Sequence, residues 1–92
     1  MNYALADINT SVIEDSVIVE NRETGDVHEL NSVAGAILSG IKERKGFSVS
    51  IADLLADIKR QFDVEDISED VLTADIQRTL DAFIEKGLVR LE

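Results

Sequence analysis

The spacing of apolar residues changes once along this chain, near Asn31, and that change constrains the fold more than any other feature. Before it, Ser11-Val12-Ile13 and Ser16-Val17-Ile18-Val19-Glu20 are short β-branched runs with acidic breaks, the pattern of short strands. Asn21 to Asp26 is a polar cluster in which Gly25 can supply a positive φ, and the weakly alternating Val27-His28-Glu29-Leu30 follows. The two runs flanking the cluster predict a β-hairpin. Either Ala4 to Ile8 or Ser11 to Ile13 would make it a three-stranded antiparallel sheet.

After Asn31 the apolar residues recur every three or four positions, as one face of a helix requires. Asn31 or Ser32 can cap a first helix with the stripe Val33, Ala34, Ile37, Leu38 and Ile41, running to about Lys45 and stopped by Gly46. Gly35 and Gly40 each cost about 1 kcal/mol in a helix interior, which close packing or tolerated weakness would both explain. Ser48 or Ser50 opens a second helix with the apolar stripe Ile51, Leu54, Leu55, Ile58 and Phe62, ending near Phe62. Ser68 opens a third, with Glu69 and Asp70 at the positive end of its dipole and Val71, Leu72, Ile76, Leu80, Phe83 and Ile84 on its buried face. Gly87 suits a left-handed C-terminal position, and Leu88 to Leu91 reads as a short edge strand or extended tail. The expected fold class is α+β: an N-terminal hairpin or three-stranded sheet followed by three helices, a winged helix-turn-helix-like shape in one domain over residues 1–92.

Charge argues against the nucleic-acid role that such a shape suggests. The chain carries 19 acidic and 9 basic side chains, a net charge of -10, and its third helix offers only Gln77, Arg78 and Lys86 among several acids. With no Cys and one His, neither a zinc ribbon nor a nitrogen-ligand cluster is expected. The five glycines form neither a dinucleotide fingerprint nor a P-loop, so no cofactor is expected. His28 has no Ser or Cys at a recognisable nucleophile elbow, and the carboxylates are explained by solvated faces and helix N-termini, so no catalytic residues are expected. No apolar run is long enough for a membrane helix, and MNYALADINT lacks the flanks of a secretory signal. The expectation is a cytoplasmic protein without a membrane or nucleic-acid partner.

Read in order, Ser16-Val17-Ile18-Val19, Glu23-Thr24-Gly25, Leu30-Asn31, Ala34-Gly35-Ala36-Ile37-Leu38, Ala74-Asp75-Ile76 and Phe83-Ile84-Glu85-Lys86-Gly87-Leu88-Val89 form a pattern. It resembles the PqqD-like family, the leader-peptide recognition elements of ribosomally made, post-translationally modified peptide pathways. Gly35 fits the family's Gly before the helix-one Ile, whereas Val27 and His28 stand where aromatic residues are common, which implies a different side-chain preference in the bound peptide.

The resemblance implies that a precursor's leader peptide adds as an extra strand to an open sheet edge, its apolar side chains entering a groove beside the third helix. Carried onto this sequence, the edge is Asp26, Val27, His28, Glu29 and Leu30. The groove wall is Leu72, Asp75, Ile76, Thr79 and Leu80, with Asp75 and Arg78 as polar contacts and Asp26 and Glu29 favouring Lys or Arg in the leader. The implied partners are that leader and a separate modifying enzyme, whether a radical enzyme, a peptidase or a cyclase. The alternative is a winged-helix interaction or regulatory domain docking on another protein. An open edge would also permit a strand-paired homodimer.

Overall fold

The computed structural model describes residues 3–14, 16–44 and 49–91. Its elements run β1 (Tyr3–Leu5), β2 (Ile8–Ile13), β3 (Ser16–Asn21), β4 (Val27–Leu30), α1 (Ser32–Glu43), α2 (Ile51–Gln61), α3 (Glu69–Glu85) and β5 (Val89–Leu91). The architecture is α+β: an antiparallel sheet in the order β2-β3-β4, then three helices. Ser11 to Ile13 supplies the third strand, extended back to Ile8. Ala4 and Leu5 do not join it; β1 instead pairs with β5 in a separate two-stranded sheet, Tyr3 opposite Leu91 and Leu5 opposite Val89.

Each helix starts where a short polar side chain can accept from the exposed backbone N–H groups of the first turn. Asn31 accepts from Ala34 at 2.8 Å, Ser50 and Asp53 form a reciprocal capping box, and Ser68 accepts from the N–H of Val71. Of the two alternatives at each of the first two starts, Asn31 and Ser50 are the caps; α1 closes at Glu43, with Arg44 as its C-cap. The expected stop at Lys45 and Gly46 lies outside the described residues. Among the described residues no helix is long and apolar enough to cross a membrane.

The core lies between the sheet and the helices, where Val19, Ile37, Leu54, Leu80, Phe83 and Leu88 are at most 2 % exposed, whereas Val33, Val71 and Ile84, expected on the buried faces of α1 and α3, flank those stripes and are exposed. Gly35 lets α1 approach β3: a Cβ there would sit 2.5 Å from Val17 Cγ2. Because Val17 is β-branched and stiff at χ1, it has little room to yield. Gly35→Ala is therefore expected to lower the urea midpoint, since overpacking costs about 1–3 kcal/mol and the gain in helix propensity returns about 1 kcal/mol. A raised midpoint would mean that β3 can retreat.

A buried carboxylate joins α1 to α2. Asp57, 2 % exposed, takes both ends of the Arg44 guanidinium, at 2.6 and 2.9 Å, and Arg60 at 2.8 Å. Arg44 also donates to the carbonyl of Gly40, where an added Cβ would lie 2.7 Å from the Asp57 carboxylate. The hydrogen bond from Arg44 holds the Asp57 carboxyl below its ordinary range against the opposing effect of burial, and Arg60 adds to it.

Candidate functional site

The β3–β4 register fixes which backbone groups of β4 are free. Val17 lies opposite Leu30 and Val19 opposite His28, and the N–H of Asn21 donates to the carbonyl of Asp26 at 2.9 Å. Hydrogen-bonded pairs alternate in an antiparallel ladder, so His28 and Leu30 bond back to β3, while the N–H and C=O groups of Val27 and Glu29 point away from the sheet. Among the described residues no strand covers them, because β4 ends the sheet. Side chains alternate with the same period. Leu30 is buried against the helices and His28 is half-buried, whereas Val27 is 60 % exposed on the opposite face. The His28 Nε2 atom is shut off from water and has no hydrogen-bond partner among the described residues.

The acids of this edge are engaged locally. Glu29 accepts from the hydroxyl of Ser16 at 3.2 Å, and Asp26 accepts from Thr24 at 3.1 Å. Asn21, 3 % exposed, holds the turn before β4: its carbonyl oxygen accepts from the N–H groups of Glu23 and Thr24. Its amide donates to the carbonyls of Lys86 and Gly87, tying this end of the hairpin to the end of α3.

Beside the C-terminal half of β4, a cleft of about 320 Å³ opens between that strand, the first turn of α1 and α3. Leu30, Ala34, Ala82 and Phe83 form its apolar part, and Arg78, Lys86, Thr79 and Glu29 its polar part. Larger clefts, of about 430 and 710 Å³, lie beside β2 and at the α2–α3 junction. Size does not single out the smallest one; its continuity with the free backbone of β4 does.

Of the residues named from the sequence, Glu29, Leu30, Arg78 and Thr79 meet in this cleft. Leu72, Ile76 and Leu80, at 7, 2 and 0 % exposure, belong to the core stripe of α3 and do not line it. Asp75 is exposed and forms an ion pair with Arg78, and Thr79 donates to the Asp75 carbonyl. The wall thus sits further toward the C-terminus of α3 than the sequence suggested. Following the Asp75–Thr79 face by steps of three and four reaches Ala82 and Lys86, a signal that was present. Ala34 carried none, since its facing depends on how α1 docks.

The chain matches the family described as coenzyme PQQ synthesis protein D (PqqD) over residues 16–89. Two solved structures share its fold. TbiB1 in complex with the TbiA(beta) leader peptide superposes with a TM-score of 0.80 at 19 % identity, covering 97 % of this chain and 96 % of that one. Lasso peptide synthetase B1 complexed with the leader peptide superposes with a TM-score of 0.78 at 15 % identity, covering 99 % and 100 %. No curated protein matches the chain.

Proposed function

The chain belongs to the PqqD family, and on that premise we propose that it is a non-catalytic peptide-binding protein that captures the leader of a ribosomally made precursor. It presents that precursor to a separate modifying enzyme, a radical enzyme, peptidase or cyclase. The observation that carries this reading is the free backbone of Val27 and Glu29 beside a cleft lined by both apolar and polar side chains. An extended peptide adds to such an edge through main-chain hydrogen bonds, and its alternate side chains enter the pocket. The leaders held by TbiB1 and lasso peptide synthetase B1, which share this fold, support the same assignment.

The contact set is Asp26 to Leu30 with Arg78, Thr79 and the neighbouring wall of α3; Leu72, Ile76 and Leu80 support that wall from the core, and Asp75 sets Arg78. The small side chains Ala34 and Ala82 leave room for an aliphatic group of the leader. Asp26 and Glu29 favour Lys or Arg alongside.

The test is a titration of isotope-labelled protein with the short peptides encoded beside its gene, read by backbone amide shifts. Shifts concentrated in residues 26–30 and 78–86 are the expected result. A folded protein that no neighbouring peptide perturbs would return the domain to a winged-helix role docking on another protein. Within the same titration Ala82→Leu, which fills the cleft from a half-buried position, is expected to weaken binding about tenfold, or 1.4 kcal/mol. An unchanged affinity would move the leader's side chains out of this cleft.

A further inference from the structure

The sheet has two open edges, and they differ in chemistry. The β4 edge carries Glu29 with Asp26 beside it, charges of the kind that discourage indiscriminate strand pairing. The β2 edge, Ile8-Asn9-Thr10-Ser11-Val12-Ile13, has no charged side chain in a chain with 19 acidic residues. Five of its six residues are exposed, Val12 at 73 % and Ile13 at 61 %. Val12 shares the helix-side face with its partner Val17, yet the helices do not cover it. The N–H of Arg22 donates to the Asp7 carbonyl at 3.0 Å. Alternation from that bond leaves the N–H and C=O groups of Ile8, Thr10 and Val12 directed outward.

We infer that two copies of this chain join by antiparallel pairing of β2 with β2, with Thr10 on the two-fold axis. A two-fold axis relating neighbouring antiparallel strands stands perpendicular to the sheet, so paired residues share a face. In this register Ile8 lies opposite Val12 of the second copy, Asn9 opposite Ser11, and Thr10 opposite itself. The outward-directed backbone groups of Ile8, Thr10 and Val12 then meet their own kind. No acid opposes another, since Asp7 meets Ile13 and Glu14 meets Ala6. Placing Ser11 on the axis would instead set Ile8 against Glu14. Ile8 and Thr10 border the cleft of about 430 Å³ with Leu5 and Ile41; Val12 of the second copy, opposite Ile8, falls over it.

The assembly is one continuous sheet with a β4 edge free at each end, so it does not compete with strand addition there, and it does not rest on the leader reading. The net charge of -10 on each copy opposes association, and salt screens that repulsion.

Sedimentation velocity of the full chain over a range of concentration and salt tests the inference. A monomer–dimer equilibrium that shifts toward dimer with salt is expected. Val12→Lys and Thr10→Pro are each expected to raise the dissociation constant about tenfold or more. Both are compatible with the fold: Val12 is exposed, and Thr10 has its N–H toward solvent, where proline is tolerated on an edge strand. Val27→Pro, on the other edge, leaves the dimer intact. A wild-type chain that stays monomeric throughout overturns the inference. So does a dimer that survives Val12→Lys, or one that is lost with Val27→Pro.

Discussion

Val27→Pro is expected to reduce leader binding about ten- to a hundredfold while the domain stays folded. The N–H of Val27 points away from β3, so the substitution removes no bond of the folded sheet, and its side chain is 60 % exposed. What it removes is a donor to the added strand, leaving a leader carbonyl unpaired at about 1–3 kcal/mol, with the pyrrolidine ring in the path of the incoming backbone. The neighbouring position is the control. The N–H of His28 belongs to the β3–β4 ladder, so His28→Pro should lower stability as well as binding. Calorimetric titration with the leader, beside a urea melt of each variant, separates the two effects. Full binding by Val27→Pro would show that the leader does not pair with β4.

The second large effect is on stability. Removing one partner of a buried ion pair costs about 3–5 kcal/mol, but here the guanidinium side chains of Arg44 and Arg60 are 28 and 66 % exposed and can turn to water, so about 2–3 kcal/mol is expected for Asp57→Asn. That is a large share of the total for a small domain. The pH dependence has a definite sign. Arg44 holds the folded-state carboxyl below its unfolded value, so the stabilisation is present in full above the ordinary carboxylate range and is lost as pH falls through it toward the lower folded-state value. The gap in urea midpoint between wild type and Asp57→Asn should therefore be wide at neutral pH and close in acid. A gap that is the same at both would mean that the Asp57 charge contributes nothing.

The parts of this fold that announce themselves along the chain are those set by neighbours in sequence. Asn31, Ser50 and Ser68 could be read as caps because each precedes an apolar stripe, and Gly25 marked the hairpin because its φ of +81° suits few other residues. The small β1–β5 sheet could not be read this way. Three-residue strands have too few positions to show a period, and the pairing of Tyr3 with Leu91 spans nearly the whole chain. Nor does the front of β2 alternate, because an edge strand exposed on both faces has no buried side to enforce alternation. The cleft was half legible. The sequence shows the stripe of α3 but not which flank of that stripe faces β4, so Leu72, Ile76 and Leu80 read as one wall with Thr79, and Ala82 is reached only by following the Asp75–Thr79 flank. Asn21 reads as a turn former, and its grip on Lys86 and Gly87 is visible only once α3 has docked.

The pairing of the first strand with the last also bears on how the protein is made. During synthesis β2, β3 and β4 emerge together and pair with close neighbours at small loop-closure cost. Tyr3, which is 3 % exposed when folded, has no strand to pair with until residues 89–91 have left the ribosome. The sheet that offers the β4 edge is thus assembled from local hairpins, whereas closure of the domain waits until residues 89–91 have emerged. On a nascent chain both open edges of that sheet are present before the core beneath them is sealed.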